Sequence, residues 1–411
     1  MQSELFLISI ITQCRPIEVI AGYIKSAYVC LIVVEFSIIK DGQHYCEQGQ
    51  HEKISITTII CIKSYGSLLQ AFATQKKLEE YADEVELFNY IQNTRLADWV
   101  KGRTNPIKAL LAFINLMRLK LNFNRLKRDS LNLSSRSYST EADFKQFKGD
   151  SDIYCIGSDQ IWNFDCIPRM LPCARFLSFL PSEARRFSFS SSFGKDSVDE
   201  DTVKRSKEYL SLLERVSVRE DSGVDILRKQ YGRDDAVQLV DPTLAMPPEF
   251  WRSYATKPRI KGEYLLIFCL KRSKELDAYA RALSERTGLP AVRICRNYGH
   301  VFHYGKSVIL PSIFDFVSLI DNAKYVLTDS FHGVALSMNL NTPPLCVYQA
   351  RPGRLASLLR LVGEERRAIS GFDDFDILNR PVDFTQVNRV LEAERRRVDA
   401  YLSSFLPNES N

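Results

Sequence analysis

One histidine in this chain stands where chemistry is easiest to build. In the run TDSFHG, residues 328–333, His332 follows Asp329 and Ser330 and precedes Gly333. A buried strand, KYVLT, leads into the run, and an apolar helix, VALSMNL, leads away until Asn341, Pro343 and Pro344 stop it. Asp329 and Ser330 have side chains suited to capping that helix. His332 therefore sits where a strand hands over to a helix, and free backbone N–H groups and the helix dipole there favour a phosphate or carboxylate. The plain alternative for a lone histidine is a cap or a core side chain. Position favours function, because open α/β sheets bind ligands at the carboxyl edge of their strands.

Other strand tips carry polar residues to the same kind of edge. DIYCIGSDQ ends in Gly157, Ser158 and Asp159, RRFSFSSSFG in Ser190, Ser191, Ser192 and Gly194, and RVSVRE in Arg219 and Glu220. Each tip taken alone is an ordinary turn or cap. Arg219 says most, because its planar fork suits bidentate binding of a carboxylate or phosphate; its plain alternative is an ion pair with Glu220 or Asp221. Gly66, in KSYGS, is read as a turn that lets backbone approach a substrate. Lys271 and Arg272, ending EYLLIFCL, and Arg354, in RPGRLASLLRLVG, are weaker cationic candidates. His300 and His303 have metal-like spacing but no third ligand nearby in sequence, so they are read as loop residues.

The elements that must hold these tips alternate strand and helix. Ile313, Phe316, Val317 and Ile320 recur on a helix period before KYVLT. From Lys53, KISITTIICI, LLQAFATQKKLEEYA and EVELFNYI form a β-α-β unit, and EYLLIFCL, SKELDAYARALSERTG and PAVRIC repeat the plan later. The sequence predicts an α/β protein. A chain of 411 residues exceeds one ordinary core. Domains are expected at 51–241 and 242–381, divided where AVQLVDPT meets Pro242, Pro247 and Pro248, with a long helix at 382–406. Residues 1–50 lack this punctuation and read as an extension of unknown role.

Composition narrows the partners. A net charge of +5 is slight for this length, so nucleic acid is not indicated. The ten cysteines form no C-x-x-C pair and several lie in apolar runs, which points to a reducing, cytoplasmic setting. Residues 101–128 hold eight lysines and arginines and no acidic residue. Ile107, Leu110, Leu111, Ile114, Met117 and Leu121 form an apolar helix face within them. Such a helix suits an anionic membrane surface, at the inner face of the membrane, or a lipid-linked substrate; the favoured expectation is that its apolar side packs on its own domain.

The ordered set of a turn before LLQAFATQ, then GSDQIW, SFG, VSVRE, DPT, YLLIFCL and TDSFHGVALS resembles the polysaccharide pyruvyl transferase family over roughly residues 53–370. The resemblance implies two Rossmann-like domains facing a cleft, a B-type glycosyltransferase-like fold, with a C-terminal helix crossing back to the first domain. It implies transfer of a pyruvyl group from phosphoenolpyruvate to a sugar of a cell-surface polysaccharide or its precursor, making a cyclic ketal. Phosphoenolpyruvate is then a co-substrate, and neither a cofactor nor a metal is expected. His332 matches the family's histidine before glycine, which implies proton transfer; Arg219 matches the arginine of the V-R-D/E segment, which implies an anion clamp. One position departs. Where the better-studied motif has arginine two places before the histidine, this chain has Ser330, which can donate a hydrogen bond but no charge. Either another cation serves, or the ligand differs. Two alternatives remain: a B-type glycosyltransferase using a nucleotide sugar, and a non-catalytic glycan-binding relative.

Overall fold

The structure, a computed structural model, describes residues 52–90, 106–166, 170–348 and 353–406. The expectation for residues 1–50 lies outside these, as do residues 101–105 of the basic segment.

Two parallel sheets carry the fold. In the first, β1 (Lys53–Thr57), β2 (Glu84–Tyr90), β3 (Leu133–Tyr138), β4 (Ile153–Ile156) and β5 (Arg185–Ser188) run in the order β3-β2-β1-β4-β5. A short parallel pair, β6 (Ser217–Val218) and β7 (Val237–Gln238), adjoins β5 and the residues just beyond it through the bridges Phe187 to Arg215 and Ser191 to Val218. In the second sheet, β8 (Leu265–Phe268), β9 (Ala291–Cys295), β10 (Lys306–Ile309), β11 (Tyr325–Thr328) and β12 (Pro344–Cys346) run in the order β10-β9-β8-β11-β12. The two orders are the same, so each half is a Rossmann-like sheet whose connections reverse beside its central strand. In such sheets the crevice at the reversal is where ligands bind. In the first half it opens beyond Thr57 and Ile156, and in the second beyond Phe268 and Thr328.

The helices that frame these edges are α1 (Tyr65–Leu78), α2 (Pro106–Asp129), α3 (Glu200–Ser211), α4 (Asp221–Ile226), α5 (Pro242–Ala245), α6 (Lys274–Thr287), α7 (Ile313–Asp321), α8 (Phe331–Asn339), α9 (Gly353–Leu361) and α10 (Phe384–Ser403). Their ends follow capping chemistry. Ser312 caps α7 in a reciprocal box with Asp315, and Gly288, at φ +68°, ends α6 in the left-handed conformation.

Two elements differ from expectation. The Ser- and Arg-rich stretch at residues 133–138, which carries no strand signature in the sequence, forms β3. As an edge strand it exposes Ser135, Arg136 and Ser137 and buries little, so it has no apolar signature to read. The apolar face expected of α2 is not packed on the domain: Leu110, Ile114, Met117 and Leu121 are 38–59% exposed. A different stripe, Ala112, Leu116 and Leu126, is buried instead.

The halves share one core. Phe72 of α1 packs on Phe250, Trp251, Tyr254 and Phe314 of the second half, with ring centroids 4.9–6.2 Å apart. Tyr65 stacks on Phe316 of α7 at 4.9 Å and 3°. Each such pair adds roughly 0.5–1.5 kcal/mol beyond its area. Together they fix α1 against the second half. The last helix crosses back as expected. Tyr401 Oη donates to Ser188 O at 2.8 Å, Arg397 Nη2 to Gln238 O at 3.0 Å, and Asp399 pairs with Lys77 at 2.6 Å.

Candidate functional site

The end of β11 builds the site. Ser330 caps α8, its Oγ accepting from Gly333 N at 3.4 Å while its own N–H donates to Thr328 Oγ1 at 3.1 Å. A Cβ on Gly333 would lie 2.5 Å from Thr328 Oγ1, so the helix can close on the strand end only because residue 333 has no side chain. Asp329 turns the other way. Its carboxylate accepts from Leu270 N at 2.5 Å and Lys271 N at 3.0 Å, tying the tip of β8 to that of β11.

His332 then lies in the first turn of α8, with 7% of its surface exposed. Its Nε2 is 3.5 Å from Asp241 Oδ2 and has no hydrogen-bond partner. Its other side rests on Gly66, where a Cβ would fall 2.0 Å from Nδ1. Gly66 is thus in the first turn of α1, not in the preceding turn as expected, because Ser64 caps the helix by accepting from Ser67 N. Close approach, rather than an unusual φ, requires glycine there.

Asp241 is the hub. Its Oδ2 accepts from Arg219 Nη1 at 2.8 Å and Ser158 Oγ at 3.1 Å, and its Oδ1 from Thr243 N at 2.9 Å and Thr243 Oγ1 at 2.7 Å. Burial raises its pKa, but His332 and Arg219 outweigh that and hold the carboxyl far below the usual range. Sequence reasoning used Asp241 as a domain marker and within the DPT motif, not as a site residue. The available signal was an acidic residue at a strand end followed by Pro242 and Thr243, a strand tip like the others.

Arg219 is fully buried, and its fork is largely engaged. Nε donates to Glu220 Oε1 and Nη1 to Asp241, both at 2.8 Å, while Nη2 is buried without a partner. Of its two expected acidic neighbours it pairs with Glu220; Asp221 pairs with Arg360. The guanidinium also lies 4.2 Å over the Phe331 ring. Burial opposes its charge, but Glu220, Asp241 and Asp159 more than offset this and raise its pKa. Ser192 Oγ donates to Glu220 Oε1 at 2.9 Å. Gly157 presses on Thr58, a Cβ there lying 2.8 Å from Thr58 Cβ, and Asp159 is 3.9 Å from Arg219 Nη1.

Arg354, half-buried in α9, shares a 10 Å³ cavity with Arg219, Asp241 and Phe331. That space holds about one water. Arg354 has no hydrogen-bond or ion-pair partner among the described residues, and burial together with the Arg219 charge lowers its pKa. Lys271 and Arg272 are exposed, and Lys271 touches the cluster through its backbone N–H on Asp329. His300 and His303 pair elsewhere, with Asn297 at 2.8 Å and Asp277 at 2.5 Å. A larger cavity of about 670 Å³ begins one residue from Gly66, lined by Tyr65, Arg118, Arg125, Arg296 and the outer side of α2.

The facing strand ends of both halves bring together a buried histidine, an anionic carboxylate and a paired arginine, and α9 adds Arg354, unpaired among the described residues. It can hold an anion and move a proton.

A family model described as polysaccharide pyruvyl transferase matches residues 65–350. No curated protein matches the chain in sequence. Among solved structures, a Listeria monocytogenes protein described as a UDP-N-acetylglucosamine 2-epimerase aligns with a TM-score of 0.50 and 10% identity, over 87% of this chain and 97% of that one. The UDP-N-acetylglucosamine 2-epimerase of Rickettsia bellii aligns at 0.47 and 12% identity, over 87% and 97%. An E. coli heptosyltransferase aligns at 0.34 and 11% identity, over 73% and 89%. At such identities the likeness is one of fold. The expected two-sheet, B-type architecture is the one observed.

Proposed function

Because the chain belongs to the polysaccharide pyruvyl transferase family, we propose that it transfers a pyruvyl group from phosphoenolpyruvate to two hydroxyls of one sugar in a cell-surface polysaccharide or its precursor. The observation that carries this reading is the buried series Arg219, Asp241, His332 at the facing strand ends, with Nη1 and Nε2 on one carboxylate oxygen at 2.8 and 3.5 Å.

In the proposed reaction His332 gives a proton to the methylene carbon of the enol ester, and the neighbouring carbon becomes electrophilic. One sugar hydroxyl adds there, and its proton returns to the histidine. The carbon–oxygen bond to phosphate breaks, and the second hydroxyl closes the ring, its proton leaving with the phosphate. The sum is one phosphoenolpyruvate and one diol giving one ketal and one phosphate. Asp241 orients the imidazole and balances its positive charge, and Arg219 keeps Asp241 ionised. With Ser330 spent as a helix cap, Arg354 and the free Nη2 of Arg219 are the cations proposed for the donor phosphate. The enol ester is already activated, so this scheme calls for no further cofactor.

Calorimetry with phosphoenolpyruvate against a panel of nucleotide sugars tests the reading. Phosphoenolpyruvate binding is expected. Binding of a nucleotide sugar alone would replace this function with glycosyl transfer, and binding of glycan alone with a non-catalytic role.

A further inference from the structure

The α2 helix spends apolar residues on two opposite sides. Ala112, Leu116 and Leu126 are buried at 3–5% exposure, whereas Leu110, Phe113, Ile114, Met117 and Leu121 stand 38–59% exposed. On the helix period these five form one continuous outward stripe. Arg118 and Arg125 border one edge of it, and Lys120 and Lys127 the other. None of the four has a hydrogen-bond or ion-pair partner among the described residues, and no acidic residue occurs from 106 to 128. The 3-10 turn Tyr298–Phe302 is fastened to this helix by Tyr298 N–H donating to Asn115 Oδ1 at 3.1 Å. It carries Phe302, which is 90% exposed.

We propose that this face docks on an anionic bilayer surface. An apolar stripe flanked on both edges by unpaired cations matches the boundary between acyl chains and negative headgroups: the stripe enters the hydrocarbon, and the long basic side chains reach back to the phosphates. Charge decides against a second copy of the chain. A two-fold contact through this stripe would bring four unpaired cations against four more, whereas the cores of protein interfaces are depleted of lysine. Among the described residues no helix is long and apolar enough to cross a membrane. Ile114, Met117, Leu121, Arg118 and Arg125 also line the 670 Å³ cavity. Docking in this orientation sets the mouth of that cavity at headgroup level. The inference does not depend on the identity of the donor.

Co-sedimentation of the full chain with phosphatidylcholine vesicles, with and without about one-third phosphatidylglycerol, tests it. Binding is expected to the anionic vesicles only, and to weaken as salt is raised. Leu121→Ser with Phe302→Ser, and separately Lys120→Glu with Lys127→Glu, are each expected to lower partitioning at least about tenfold at unchanged melting temperature. Unaltered binding by both variants would overturn the proposal and move the contact elsewhere on the chain. Absence of binding by the wild-type chain would overturn it outright. So would sedimentation velocity showing a dimer that Leu121→Ser dissociates.

Discussion

Gly66 and His332 meet across the two halves so closely that a Cβ on Gly66 would lie 2.0 Å from Nδ1 and 2.4 Å from Cγ of the histidine. The first half thus sets one side of the imidazole, and Asp241 the other. Phe72, buried among second-half aromatics, and Tyr65, stacked on Phe316, hold α1 in this position. Packing between the halves is therefore what orients the candidate proton carrier.

Gly66→Ala should separate these two parts. The added methyl must push either the ring or the helix, and overpacking of this kind costs roughly 1–3 kcal/mol. Melting temperature should fall by a few degrees, and single-turnover rate should fall further than that loss of folded protein explains. A fully active, equally stable alanine variant would show that His332 does not need its place.

His332→Asn keeps the helix turn and a hydrogen-bonding side chain but removes the transferable proton. Donor affinity should change little, while single-turnover rate falls by about 10² to 10⁴. Rapid-quench measurement with a competent acceptor reads both. Wild-type turnover would leave His332 as a packing residue.

Asp241→Asn bears on stability and its pH dependence. Removing one partner of a buried ion pair costs roughly 3–5 kcal/mol. The sign follows from linkage. The folded pKa is depressed, so the stability Asp241 contributes is fully present above its unfolded value of about 3.9 and is lost as pH falls through the range below it toward the folded value. Urea unfolding should therefore show a constant gap between wild type and variant from pH 7 to 5, narrowing below about pH 4. A gap that widens on acidification would contradict the assignment of Asp241 as the ionised hub.

Most of the architecture was legible because buried parallel strands and amphipathic helices leave periodic signatures, as in KYVLT and the Ile313–Ile320 stripe. The edge strand β3 was not, since an exposed strand need not be apolar. His332 and Arg219 could be found as polar tips on strand ends. That they share Asp241 could not, because the three come from β11, β6 and the turn after β7, and only the fold brings them to one carboxylate. Gly66 was noticed for its backbone freedom, whereas its role is the absence of a side chain facing a residue 266 positions on (332 − 66). The outward stripe of α2 was legible as amphipathic, but sequence alone does not say which of two apolar sides meets the core.

The two arginines should respond differently to substitution. Arg219 bridges Glu220 and Asp241 with separate nitrogens, a geometry a lysine's point charge cannot reproduce, so Arg219→Lys should lose roughly 1–3 kcal/mol of stability along with donor affinity. Arg354 has no such pair among the described residues, and Arg354→Ala should leave the melting temperature nearly unchanged. Its donor affinity should nonetheless fall about 10- to 100-fold, the effect of removing a charged hydrogen bond to phosphate worth roughly 1.5–3 kcal/mol. Calorimetric titration with phosphoenolpyruvate beside thermal unfolding measures both. If Arg354→Ala binds the donor as well as wild type does while Arg219→Lys stays stable and binds it poorly, the buried Nη2 of Arg219 alone holds the phosphate. If both bind normally, the clamp passes to Lys271 and Arg272 at the tip of β8.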